Sequence, residues 1–164
     1  MTTDIHPDAE EIAEVGEGFL GKTFPPDRFH HREHLIMMAY LLVKYPAHDW
    51  RAELPDLIRS YNVAAGGIND ETRGYHHTIT MAFVTIVETI VARAEHGDLV
   101  AACRAVLASP AARQDALLQF WSHELLFSRE ARRNWVAPDQ RAFNVSGVGD
   151  DLTTAEREAC VRRR

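Results

Sequence analysis

The sequence predicts an all-α, single-domain bundle of about six helices. Three observations lead to this prediction. The apolar residues recur with helical period along most of the chain. Short connections rich in proline, glycine or aspartate separate the apolar segments. The chain has 164 residues, 46% of them hydrophobic, which suits one domain with a real core and leaves little room for a second.

Six segments are expected to be helical. In order they run from Pro7 to Leu20, His30 to Tyr45, Asp49 to Ala65, Tyr75 to His96, Asp98 to Leu107, and Pro110 to Phe127. Each has a start or stop signal, such as Asp98 as an N-cap or Ser109-Pro110 as a cap followed by proline. The fourth segment is rich in β-branched residues, but its length without a breaker exceeds that of an ordinary strand.

After the sixth segment, a short amphipathic turn is expected over 128–135. The helical domain is expected to span residues 1–146. Residues 147–164 are expected to form a flexible tail, in which Thr153 to Glu156 is a capping box that favours a short terminal helix.

Composition narrows the class of protein. The net charge of −6 and the scarcity of basic clusters argue against nucleic acid as a partner. The longest apolar run, Leu35 to Val43, is too short to span a bilayer, and the N-terminus has no signal-peptide pattern. Two isolated cysteines, Cys103 and Cys160, make a disulfide framework improbable. We expect a cytoplasmic protein that binds a small molecule; its oligomeric state is not predicted.

Two histidine clusters carry the functional signal. His30, His31 and His34 open the second segment, and His76 and His77 open the fourth. Residues three or four apart share a helix face, so His34 pairs with either His31 or His30. A third histidine from the fourth segment would complete a metal site with an open, catalytic position.

At these residues the chain resembles a family of uncharacterised bacterial helical proteins. Their pattern reads Phe-x-His-x-x-His-Leu, then Tyr-His-x-Thr-x-Thr, then Leu-x-Ser-x-x-Ala-Arg followed by Pro-Asp. It is matched here by residues 29–35, 75–80, 127–132 and 138–139, with Leu126-Phe127 ahead of Ser128 in the late motif. The resemblance selects His31 and His76, leaves His30 and His77 as alternatives, and implies no reaction.

The expected metal ligands are therefore His31, His34 and His76. Thr78, Thr80 and Tyr75 are expected to orient these ligands or the substrate. The favoured function is a divalent-metal-dependent enzyme acting on a small molecule, and its catalytic residues are not identified. Imidazole ligands do not choose between zinc, iron, nickel and copper.

Two other classes of function stay open. A ligand-binding module would use the same histidines in a pocket between the two most apolar helices, with haem as one candidate ligand. In a non-catalytic helical scaffold the histidines would be structural. The dipeptide His48-Asp49 invites comparison with HD phosphohydrolases, but Asp49 is better explained as an N-cap.

Overall fold

Seven α-helices and three short 3₁₀ turns make up the regular structure in the computed structural model, which describes residues 6–95 and 97–144. The helices are α1 (Ala9–Leu20), α2 (His31–Lys44), α3 (Trp50–Ala64), α4 (His77–Arg93), α5 (Leu99–Ala108), α6 (His123–Leu126) and α7 (Arg129–Arg133). The 3₁₀ turns are Pro26–Arg28, Pro110–Ala112 and Ala116–Gln119. No strand occurs in the described ranges, so the predicted all-α class is confirmed.

The first five predicted segments are confirmed to within a few residues, and the reason is visible at their starts. The side chains of Asp8, Asp49 and Asp98 accept hydrogen bonds from the third backbone N–H of α1, α3 and α5. Such caps satisfy donors that have no partner within a helix. Pro55 lies inside α3 without ending it.

Helices α2 and α4 form the centre of the molecule. In α2 every residue from Leu35 to Leu41 is buried, because the helix packs against α1, α4 and α5. Helix α4 packs against α2, α3, α5 and α7, and most of its side chains are buried. The two most apolar segments are therefore neighbours, as their hydrophobicity predicts.

The prediction of one helix from Pro110 to Phe127 is wrong. Ser109 does cap the next turn, accepting from Ala111 N at 3.2 Å. However, Arg113 has extended backbone angles, and two 3₁₀ turns replace the start of the helix. The apolar residues of this segment are buried because the chain bends there, and not because they share one helix face. Trp121 donates its indole N–H to the Val136 carbonyl.

The predicted short turn over 128–135 contains α7, as expected. The predicted tail over 147–164, its terminal helix and the domain boundary at 146 lie outside the described residues. Within the described part of the chain, no helix has the length and hydrophobicity needed to cross a membrane.

Candidate functional site

The start of α2 brings three histidines into different environments. His30 is the N-cap residue, is exposed, and donates its backbone N–H to Glu33 Oε2 at 3.1 Å. Glu33 also pairs with Arg32, whose guanidinium bonds Glu11 of α1. His30 therefore belongs to the capping of α2, which is the ordinary role of a polar residue at this position.

His31 links three parts of the fold. Its Nε2 lies 2.9 Å from the Ala111 carbonyl oxygen, and its ring meets the edge of Phe83 with centroids 4.9 Å apart. Because a carbonyl only accepts hydrogen bonds, Nε2 carries the proton in the neutral ring and Nδ1 keeps its lone pair. The Ala111 carbonyl can accept this bond because the chain around it is not α-helical.

His34 lies one turn further along the same helix face. Its ring stacks on Phe29 at a centroid distance of 4.0 Å. Phe29 contacts the ring of Tyr61, whose hydroxyl donates to the Phe24 carbonyl at 2.6 Å. His34 is thus the polar end of an aromatic cluster between α1, α2 and α3.

The environment of His34 keeps its imidazole neutral. Burial is the main cause, and the neighbouring His31 is the second, of a pKa lowered from 6.5 to about 4. No side chain or backbone group in the described residues hydrogen-bonds to the ring, and the side chain is not fully enclosed. At pH 7 His34 therefore presents an uncharged ring with an unused nitrogen lone pair.

Both ring nitrogens of His76 are hydrogen-bonded to backbone atoms of the protein. Its Nε2 donates to the Leu126 carbonyl at 2.7 Å, and its Nδ1 accepts from Ile79 N at 3.2 Å as the N-cap of α4. Both ring nitrogens are used, so none is left for a metal ion. Burial is the main cause that lowers the pKa of His76, and the charge of Arg132 acts in the same direction.

Tyr75 and His77 bond to each other, with the Tyr75 hydroxyl 2.9 Å from His77 Nδ1. The guanidinium of Arg59 lies over the Tyr75 ring, 4.3 Å from its centroid. Burial raises the pKa of Tyr75 to about 12, so its hydroxyl stays protonated. His77 is half-buried, and its side chain makes this hydrogen bond with Tyr75.

Thr78 and Thr80, expected to support a ligand set, are buried in α4. The Thr78 hydroxyl donates to the Asn134 carbonyl at 2.7 Å and accepts from Val136 N at 3.3 Å. Thr78 therefore fastens the segment after α7 to α4. Thr80 continues the helix, with its N–H on the His76 carbonyl at 3.0 Å.

Two residues that the spacing argument did not assign organise this region. Arg132 Nη1 donates to the carbonyls of Gly74 and Tyr75 at 2.9 and 3.2 Å. Asn69 accepts from Tyr75 N and donates to the Arg59 carbonyl. Gly74 has a φ of +79°, and a Cβ there would lie 2.5 Å from Asn69 Oδ1. In the sequence, Gly74 was a signal of this close approach to Asn69, because glycine is the usual residue where φ is positive.

The three predicted histidine ligands therefore do not meet at one point in the structure. His31 and His34 share one face of α2, whereas His76 bonds to the segment before α7. Among residues 6–95 and 97–144, no group of three or more His, Cys, Asp or Glu side chains is arranged to hold a metal ion.

A polar cleft of about 230 Å³ lies between α1 and the start of α2. Three of its four charged lining side chains are paired within the protein, since Arg28 bonds Glu14, and Glu11 and Glu33 bond Arg32. The imidazole of His34, which has no hydrogen bond within the described residues, is the candidate for contact with a ligand.

Comparisons with protein-family models, with curated proteins and with solved structures found no match to this chain.

Proposed function

We propose that His31 and His34 bind a divalent transition-metal ion and that the protein is a metal-dependent enzyme acting on a small molecule. The observation that carries the proposal is the bond from His31 Nε2 to the Ala111 carbonyl. Metal-binding histidines commonly donate their second ring N–H to a carbonyl or carboxylate, which fixes the tautomer and the ring orientation. Here that bond leaves His31 Nδ1 as the coordinating atom.

His34 supports the proposal through its protonation state. A metal ion competes with protons for a histidine ligand. Because the pKa of His34 is about 4, that competition is weak at pH 7. Two imidazoles three residues apart on one helix can meet at one ion.

Two protein ligands would leave several coordination positions for water and substrate, one more than in the usual catalytic zinc site with its three protein ligands, whereas a closed structural site leaves none. Zinc bound there would lower the pKa of its water and support hydrolysis or hydration. Iron, nickel and copper fit the same ligands, so the metal selects the reaction.

The test is metal binding by protein purified without a histidine tag. Elemental analysis is followed by calorimetric titration of the chelator-treated protein with Zn²⁺, Ni²⁺ and Cu²⁺. We expect His31→Ala and His34→Ala to weaken binding at least about tenfold, the smaller end of what loss of a supporting contact costs. The matched controls, His30→Ala and His77→Ala, should bind as the wild type does.

Equal weakening in all four variants, or no binding by the wild type, would contradict the proposal. Circular dichroism of each variant separates loss of a ligand from loss of fold.

A non-catalytic helical scaffold is the second candidate function. It is favoured by the hydrogen bonds of His76 and Thr78, which cap α4 and join it to the backbone of a distant segment. A ligand-binding module, with haem as the probe, is distinguished by a Soret band after haem addition. Binding of neither metal nor haem would leave the scaffold.

A further inference from the structure

The segment that contains α6 and α7 is fastened to the start of α4 by a small set of polar contacts. We call residues 122–136 the strap. His76 Nε2 donates to Leu126 O at 2.7 Å, and the Thr78 hydroxyl donates to Asn134 O at 2.7 Å. In return, Arg132 of the strap donates to Gly74 O and Tyr75 O. Four backbone carbonyls are thus satisfied across this contact.

His76 can cap α4 and bond the strap at the same time only as a neutral ring. Nδ1 accepts from Ile79 N at 3.2 Å while Nε2 donates to the strap. In the imidazolium form both nitrogens are donors. A proton on Nδ1 would then face the Ile79 N–H, and α4 would lose its N-cap.

The charges around His76 also oppose its protonation. The N-terminal end of α4 carries the positive end of the helix dipole. Arg132 approaches from α7, and His77 follows on α4; both act to lower the pKa of His76. From the α6 side, Phe127 lies between His76 and His123, with ring centroids 6.5 and 4.5 Å away.

Two acidic side chains of this region are paired with residues other than His76. Glu71 of the preceding loop pairs with Arg129 and Arg133, and Glu130 accepts from the Asn134 amide. The charged groups that act on His76 are therefore positive or become positive as pH falls, whereas the Leu126 carbonyl, which accepts from Nε2, acts in the opposite direction.

We propose that His76 is a pH switch that releases the strap from α4 in mildly acidic conditions. Protonation removes the N-cap of α4 and places a second positive charge beside Arg132, and these two losses outweigh the stronger bond that the charged ring makes to Leu126 O. Release also breaks the bond from Trp121 Nε1 to Val136 O, which is 3.0 Å long in the closed form. This switch is independent of the proposed metal site, to which His76 does not belong.

The experiment measures hydrogen–deuterium exchange of the strap in the full chain between pH 7.5 and pH 5, corrected for the intrinsic pH dependence of exchange. The probe is the proton alone, in chelator-treated protein. We expect strap peptides to lose protection at least about tenfold more than peptides from α5 as pH falls below about 6.5, the ordinary pKa of histidine. Acrylamide quenching of tryptophan fluorescence should increase over the same range.

The non-titrating variant His76→Gln should show no strap-specific change over this range, and the matched control His77→Gln should behave as the wild type does. An unchanged pH response in His76→Gln, or equal changes in strap and α5 peptides of the wild type, would overturn the proposal. If His76→Gln does not fold, NMR titration of the His76 ring in the wild type replaces it. The ring must take up its proton over the pH range in which the strap opens, and strap opening without protonation of His76 refutes the switch.

Discussion

Replacement of His34 by glutamine should make the stability of the metal-free protein less dependent on pH. Glutamine keeps a planar polar group on the ring of Phe29 but does not titrate. In the wild type, the folded protein holds His34 neutral, with a pKa lowered from 6.5 to about 4 by burial and by His31. The unfolded chain takes up a proton on this residue near pH 6.5.

The sign and size of the effect follow from this difference. A histidine whose folded pKa is lowered contributes its stability above the unfolded pKa and loses it as pH falls towards the folded pKa. Between pH 7.5 and pH 5 the loss is about 2 kcal/mol, and by pH 4 it reaches about 3 kcal/mol. These are upper values, because the His34 side chain is not fully enclosed.

The assay is urea unfolding at pH 7.5, 5 and 4 for wild type and His34→Gln. Carboxylates and the other histidines titrate in both proteins, so the informative quantity is the difference between their pH-dependent losses. The wild type should lose about 2–3 kcal/mol more than the variant. His30→Gln, a change at an exposed capping residue, is the control and should follow the wild type. Parallel curves for wild type and His34→Gln would refute the reasoning.

Two further substitutions test the packing of the fold. Gly16→Ala gains helix propensity of about 1 kcal/mol, but its Cβ would lie 2.2 Å from the fully buried Tyr40 ring. A net loss of about 2 kcal/mol is expected from thermal unfolding, and Tyr40→Leu in the same chain should recover part of it. Thr78→Val removes the donor to Asn134 O and the acceptor of Val136 N and should cost about 0.5–1.5 kcal/mol, the usual net contribution of a hydrogen bond. Thr89→Val, which removes only a bond within α4, should cost less in the same urea titration.

Helix positions were largely predictable because the signals for them are local. The caps at Asp8, Asp49 and Asp98 and the apolar periodicity of α2 and α4 depend on residues near one another in the chain. The segment from Pro110 to Phe127 carries the same local signals. Its conformation is decided by distant partners, including Val136 and Asp139, which bond Trp121 and Ser122.

The candidate site was predictable in its residues but not in their roles. The sequence singled out His31, His34 and His76 as buried polar groups in need of partners. Which partner each one has depends on carbonyls exposed by turns far along the chain, at Ala111 and Leu126. The spacing of residues in the sequence carries no information about such carbonyls. A histidine that bonds a distant carbonyl and one that does not therefore have the same sequence pattern around them.

The contacts of His76, Thr78 and Arg132 also bear on how substitutions accumulate. Each of these side chains bonds to backbone atoms 50 to 58 positions away, so its partner does not depend on the identity of the residue that supplies the carbonyl. These bonds therefore place no demand on the side chains at the partner positions, although its φ of +79° restricts Gly74 and its burial restricts Leu126.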